Sequence, residues 1–412
     1  MARHILQGER PVFFYGQFYM GSLDAWFVAG VFRALGESVG GVRLVQVVLY
    51  LLYITSLWGM ARFFSPEKRV ASIVVWLAAI PTVMVTTYTT ITLGGYGEIL
   101  VLGNLILWLG YRVIYGGWER RIWAWTLLGA ISGLAFWTLG MAGIYILPVT
   151  VLGLWKHRHK LAPYYLACAA GFIVGSSPWW VENIVNRGAS LDVLLKSSLP
   201  PSTFLTNLTV LLFFDIPALL GFRSPSSSQY LPWPLLLVGV IFYLSVLAYV
   251  VRSWRRRKLD VSPGVLALLG CLVLLFAVVI LSSNYGIDLT ARYYLPLYLP
   301  LLLMTSFFIA AAWRKRPLLG GCLLVLVMGI NVFANYQVAI SEEKFTDQFT
   351  EITMFDNRYD AELIAFLKDN GELKGYTNYW VSFRLAFLSG EQIIYLAKLP
   401  YKSDLYYNPL NN

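Results

Sequence analysis

The chain has 412 residues, of which 58% are hydrophobic and only 13% charged, with a mean hydropathy of +0.63. A water-soluble domain carries about 25% charged residues, so composition alone excludes an ordinary soluble enzyme. The net charge of +10 raises nucleic acid as a partner, and the placement of those charges decides against it.

Residues 1–42 form a first loop ahead of any long apolar run. Within it Met1–Pro11 has nothing that can act as a signal peptide or anchor. A translocated loop normally follows a hydrophobic segment, so a first transmembrane helix upstream of Met1 is expected, the alternative being translocation of this tail by the first span itself. Next comes Tyr15-Gly16-Gln17-Phe18-Tyr19-Met20-Gly21-Ser22-Leu23-Asp24. Ser22 is placed to cap a short helix whose Leu23, Phe27, Val31 and Leu35 make an apolar stripe, as in a helix lying along a membrane surface.

Residues 43–336 make a transmembrane helical domain. Full-length spans are predicted at Arg43–Arg62, Val70–Tyr88, Gly97–Tyr115, Leu161–Val181, Pro232–Val251, Pro263–Ser283, Tyr294–Ala312 and Pro317–Tyr336, each near the ~20 residues a crossing helix needs. The uncharged stretch between Arg121 and Lys156 is too long for one span and too short for two ordinary ones. With Gly140 and Gly143 near its middle it reads as a hairpin of two short helices, giving about ten crossings or part-crossings. Thr203–Phe222 is apolar but holds Asp215 and Pro217, and a crossing there would invert every later loop. It reads as an interfacial or re-entrant helix with Ser224–Ser228 as an exposed exit. Residues 337–412 change character. Helix at Asp360–Lys368, strand at Gly375–Tyr379, helix at Val381–Leu388 and strand at Gln392–Ala397 make a small α/β tail.

The loops at 62–69, 112–121, 156–160, 252–260 and 313–316 hold seventeen basic residues against three acids. The alternate connections hold eight of each, and the tail after Tyr336 holds seven basic and eleven acidic residues. This is the positive-inside pattern. The first loop, the loops at Glu98, Asn183–Tyr230 and Ser283–Tyr293, and the tail are therefore placed outside a cell membrane crossed many times. The basic excess is topological and implies no nucleic acid. Cys168, Cys271 and Cys322 fall inside spans and imply no disulfide framework.

The chemistry-bearing residues gather on the outer side. Asp24 suits the positive end of a helix dipole or a functional role. Glu98 follows Gly94-Gly95-Tyr96-Gly97, where a carboxylate at the membrane edge is costly enough to suggest function. The glycines there would let a ligand approach the backbone. Arg292, flanked by Tyr293 and Tyr294, is suited to grip a phosphate or to anchor the interface. Trp179 and Trp180 read as belt residues, and Arg187, Lys196 and Arg223 add positive charge to the large outer loop. His4 reads as a lone loop histidine, and His157 and His159 belong to a basic loop. Asn207-Leu208-Thr209 fits a glycosylation sequon. No cluster has metal-ligand spacing, and no phosphate-binding glycine loop or nucleophile elbow is present.

The run from Ala2 to Leu44, "ARHILQGERPVFFYGQFYMGSLDAWFVAGVFRALGESVGGVRL", resembles the first external loop of GT-C-fold membrane glycosyltransferases. Bacterial protein mannosyltransferases and aminoarabinose transferases are the nearest in pattern. The order continues through Pro81 to Glu98, "GLAFWTLGMAGIYILP" and "ARYYLPLYLPLLLM", covering residues 2–336. The resemblance implies an all-α polytopic fold and transfer of a sugar from a polyprenyl-phosphate donor to an external acceptor in the cell envelope. It places the family's main catalytic acid just after the first transmembrane helix, and matches Asp24 to a later loop position. It allows a divalent metal and fixes no residue for one. Within this frame Glu98 and Asp24 are the candidate catalytic acids, and Arg292 and Tyr293 the candidate phosphate site. Tyr15, Gln17 and Tyr96 are candidate substrate contacts. The rival readings are a non-catalytic membrane scaffold and a lipid or solute transporter. Against a transporter, the span interiors are nearly free of charge while acids collect at outer ends.

Overall fold

A computed structural model describes residues 1–157, 162–188, 190–191, 201–257, 261–341, 344–346 and 357–397. Lys196, His159, Asp260 and the last residues of the tail lie outside them. Helix α1 (Ala2–Leu6) precedes a hairpin of β1 (Phe13–Phe14) and β2 (Gln17–Gly21), then α2 (Leu23–Leu35) and the long α3 (Val39–Phe64). Helices α4 (Lys68–Ala79), α5 (Val83–Thr90), α6 (Tyr96–Ile114), α7 (Ile122–Thr138), α8 (Gly143–His157), α9 (Ala162–Gly175) and α10 (Ser177–Val185) follow. A shorter pair, α11 (Phe204–Val210) and α12 (Ile216–Leu219), is joined by a π-turn at Leu211–Asp215. The bundle closes with α13 (Trp233–Arg255), α14 (Pro263–Ser282), α15 (Tyr298–Lys315) and α16 (Pro317–Ile340).

Among the described residues six helices are long and apolar enough to cross a membrane singly, or seven if α4 and α5 count as one broken span. The protein is a mostly helical multi-pass membrane protein. Two predicted spans are broken. Val70–Tyr88 bends by 68° between α4 and α5, because Pro81 supplies no N–H and leaves carbonyls of the preceding turn unpaired. Helix α16 repairs the break. Asn331 donates to the Ile80 carbonyl at 2.9 Å, and Asn335 donates to that of Pro81 at 2.9 Å. Asn331→Leu should cost about 1 kcal/mol by removing this partner from a part-buried carbonyl, read as a lower unfolding temperature in detergent. Leu161–Val181 likewise breaks at Ser176, ahead of Pro178, into α9 and α10.

The stretch between Arg121 and Lys156 forms two helices of 17 and 15 residues separated by a 3-10 turn at Gly140–Ala142. Its first helix packs on α9 at backbone contact. A Cβ at Gly129 would meet the Cys168 carbonyl oxygen at 1.9 Å, and one at Gly133 would meet that of Phe172 at 2.1 Å. From the other side, Gly171 faces Thr126 O at 2.2 Å and Gly175 faces Ala130 O at 2.1 Å. This is the small-residue packing by which apolar helices approach closely in lipid.

The tail contains α17 (Asp360–Asp369), β3 (Lys374–Thr377), α18 (Tyr379–Leu388) and β4 (Ile394–Ala397), with β3 and β4 parallel. It docks on the first loop. Phe387 stacks on Phe32 of α2 with ring centroids 6.3 Å apart, and Arg3 pairs with Glu391 at 2.7 Å. Two expectations need correction here. The Ser-rich segment is no exposed exit, since Pro225 and Ser226 are buried and Ser228 alone of its serines is exposed. Ser22 precedes α2 without capping it by its side chain, and its hydroxyl donates instead to the Pro11 carbonyl at 2.5 Å.

Candidate active site

Helix α2 turns one face inward, with Asp24, Ala25, Val28, Ala29 and Phe32 buried, while Phe27 and Leu35 are exposed in the manner of an interfacial helix. The inward face brings Asp24, 2% exposed, against α3, where Gln46 Nε2 donates to Asp24 Oδ1 at 2.8 Å. Glu98, 3% exposed, arrives from the first turn of α6, and the Asp24 and Glu98 side chains share a hydrogen bond. A bond between two carboxyls requires that one of them carry a proton. Burial pushes Asp24 up to about 6, against the lowering effect of its bonds to Gln46 and Glu98. Glu98 Oε1 is buried without a hydrogen-bond partner, an arrangement that costs stability.

The glycines before Glu98 serve the protein and leave no gap for a ligand. Gly94 and Gly95 have φ of +73° and +75°, a region favoured by glycine. A Cβ at Gly94 would lie 2.5 Å from the Phe14 ring, and one at Gly95 would lie 3.2 Å from the Thr138 carbonyl. They let the first-loop hairpin and the end of α7 close over the start of α6. The hairpin is fixed there by Trp137 Nε1 donating to the Val12 carbonyl at 3.0 Å and by a bridge between Met20 and Leu139. Trp179 belongs to this packing as well, buried with Phe13 and Trp137, so Trp180 alone keeps the exposed belt character expected of the pair.

Arg292 occupies the opposite side of the same turn. Its Nη2 pairs with Asp288 Oδ2 at 2.6 Å, its guanidinium stacks 5.1 Å from the Tyr293 ring centroid, and it interacts with Tyr96 and Tyr88. Tyr88 and Tyr96 pack together with centroids 5.0 Å apart. Residues two apart on a helix point about 200° away from one another, so Tyr96 and Glu98 divide the start of α6 into a cationic side and an acidic side. Arg292 Nε is buried without a partner. The structure therefore joins Asp24 with Glu98, and Arg292 with Tyr293 and Tyr96.

Tyr15 and Gln17 stand under the tail, and Tyr15 lines the same cavity as Asp24. Gln17 Nε2 donates to the Tyr379 hydroxyl at 2.6 Å, and that hydroxyl donates to the Tyr15 carbonyl at 3.1 Å. The Tyr15 hydroxyl lies 2.7 Å from His4 Nδ1, and His4 Nε2 lies 3.1 Å from Glu391. His4 is thus no lone loop histidine. Arg223, expected as loose outer-loop charge, is 2% exposed and donates to the carbonyls of Phe214, Pro225, Ser227 and Leu289. The sequon is not available for a glycan, because Asn207 is 1% exposed and its amide donates to Ile280 and Ser283 carbonyls. Gln46 escaped notice in the sequence, although a lone amide one turn inside an apolar span is itself a signal. Among the described residues no three His, Cys, Asp or Glu side chains converge to hold a metal ion.

Residues 22–181 match the family model of dolichyl-phosphate-mannose-protein mannosyltransferase. The whole described fold is similar to ArnT from Cupriavidus metallidurans bound to undecaprenyl phosphate, at 12% identity and a TM-score of 0.56, covering 97% of this chain and 80% of that one. The chain has the GT-C fold. The apo state of the same ArnT gives 14% identity and a TM-score of 0.53 over 95% of this chain and 65% of that one. The Archaeoglobus fulgidus oligosaccharyltransferase complex with Zn and sulfate gives 12% and 0.52 over 97% and 57%. The chain thus spans less than two thirds of the apo ArnT and oligosaccharyltransferase chains. No curated protein matches the sequence. In this GT-C chain the family match runs from α2 into the start of α10, the part that carries Asp24, Gln46 and Glu98.

Proposed function

We propose that the protein is a membrane glycosyltransferase that moves a sugar from a polyprenyl-phosphate donor to an acceptor on the non-cytoplasmic side of a cell membrane. The observation that carries this reading is the buried Asp24–Glu98 pair on one side of the α6 start, with the Arg292 cation on the other. Asp24 takes the proton of the acceptor as the acceptor's oxygen or nitrogen attacks the anomeric carbon. The bond from that carbon to the phosphate oxygen breaks, and its electron pair leaves on the lipid phosphate. Arg292 stabilises the negative charge that develops there, with Tyr293 and Tyr96 shaping its surroundings. Gln46 holds the Asp24 carboxyl, and Glu98 exchanges the shared proton with it. The basic loops at the opposite ends of the helices support the sidedness, and a donor carried by a lipid suits a compartment without nucleotide sugars.

The test is sugar transfer by full-length protein reconstituted in liposomes with an undecaprenyl-phosphate-linked sugar. Glu98→Gln and Arg292→Ala should each lower turnover by at least about 100-fold, the scale of one acid–base or electrostatic group. Arg292→Lys should recover part of the loss by keeping the charge without the planar fork. Undiminished turnover in both Glu98→Gln and Arg292→Ala would remove these groups from the reaction.

A further inference from the structure

A cavity of about 300 Å³ lies between α2 and α18. Val28 and Phe32 line it from the first loop and Phe383, Ala386 and Phe387 from the tail, with Asp24 also in its lining. Its other charged side chains are committed to one another. Arg3 pairs with Glu37 and Glu391, and His4 is held between the Tyr15 hydroxyl and Glu391. The Arg3 guanidinium at this cavity is thus matched by two carboxylates, whereas Arg292 pairs with Asp288 and keeps its Nε without a partner, and a phosphate is expected on the Arg292 side. Apolar walls with a few fixed polar groups suit a hydrocarbon body bearing one hydrogen-bond donor. The helices that wall it also meet lipid, since Leu6, Phe27 and Leu35 are 46%, 43% and 70% exposed.

We infer that this cavity receives the acceptor, and that the acceptor is an aliphatic alcohol carried in the membrane. Its hydroxyl is presented to Asp24, and its chain lies against Phe32, Phe383 and Phe387. The inference rests on the reading of Asp24 as the group that takes the acceptor proton. It gives the tail a role in substrate selection. Helix α18 forms one wall, and the Gln17–Tyr379–Tyr15 hydrogen bonds fix that wall on the first loop. The reaction balances as before. The alcohol O–H proton passes to Asp24, a carbon–oxygen bond forms to the sugar, and the lipid phosphate departs with the electron pair.

The experiment uses the full chain in phosphatidylethanolamine–phosphatidylglycerol nanodiscs and a dodecanol carrying a diazirine on its chain. Photolysis should place adducts on the peptides spanning 24–32 and 379–388, and unlabelled dodecanol should compete where dodecane does not. Ala386→Trp should fill the cavity and lower this labelling about tenfold, the equivalent of 1.4 kcal/mol. Val28→Phe fills the same space from the opposite wall and should do likewise, which guards against a misfolded tail in the first variant. Undiminished labelling in both variants, adducts confined to lipid-facing Phe27 and Leu35, or equal competition by dodecane would overturn the inference. If labelling fails while Glu98→Gln is inactive, the acceptor site alone falls. If labelling succeeds while the unaltered protein transfers no sugar, the site stands as an alcohol site and the transferase reading falls.

Discussion

Replacing Asp24 with asparagine is expected to lower sugar transfer by about 10²–10⁴-fold and at the same time to make the protein more stable. Both effects come from burial. The carboxyl sits at about 6 in the fold because desolvation penalises its charge, against about 3.9 in an unfolded chain. Between those values the folded state binds more protons than the unfolded one, so stability falls as pH rises through this window. Above pH 6 the full cost of about 3 kcal/mol is present. Asparagine keeps an acceptor for Gln46 and a donor for Glu98 while removing that cost. The unfolding temperature in detergent should therefore rise, and by more at pH 8 than at pH 5. The wild-type rate should drop as pH falls through about 6, because a protonated Asp24 cannot accept the acceptor's proton. This limb should be missing from the residual activity of the variant. A destabilised variant whose deficit is the same at both pH values would show Asp24 to be a packing residue.

Gly133→Leu is expected to prevent assembly of the bundle. Even a methyl group at this position lies 2.1 Å from the Phe172 carbonyl oxygen, and that atom belongs to the backbone of α9, which cannot rotate aside. Relief requires that the two helices separate along their length, which loses the contacts of Gly129, Gly171 and Gly175 together. The penalty should exceed about 4 kcal/mol, the range reserved for a small set of severe mechanisms. Gly59→Ala is the matched control. It sits inside α3 with nothing within 4 Å of its added carbon, so it should gain up to about 1 kcal/mol from helix propensity. Monodispersity on size-exclusion chromatography and the unfolding temperature would separate the two. A monodisperse Gly133→Leu protein with unchanged melting would show that the close approach is dispensable.

How much of this could be read from the residues differs by region. The tail was legible to within about two residues, because short apolar runs there are set off by charged and turn-forming residues outside a uniformly apolar setting. Its expected strand at Gly375–Tyr379 is found at Lys374–Thr377, and that at Gln392–Ala397 is found at Ile394–Ala397. The long spans were legible for the opposite reason, their unbroken hydrophobicity. The breaks at Pro81 and Ser176 were not, since a hydropathy window sums composition and is blind to a missing N–H. At the site, Asp24, Glu98 and Arg292 stood out as charges placed where charge is costly. Their grouping did not, because it depends on which side of α6 each approaches. Gly94 and Gly95 misled for a related reason. A glycine signals close approach without saying whether a ligand or another part of the chain comes near, and here it is Phe14 and Thr138. Arg223 looked like surface charge because a sequence does not display the four carbonyls that surround it.

That knot of carbonyls bears on how catalysis would be paced. By grasping Phe214, Pro225, Ser227 and Leu289 at once, Arg223 ties its own turn and the stretch at Phe214 to the loop whose Asp288 holds Arg292. The arm proposed to grip the phosphate is thereby anchored in masonry. On the reading proposed above, turnover would then advance by the travel of lipids past a fixed guanidinium, and membrane fluidity, more than any gating motion of this arm, would set its tempo.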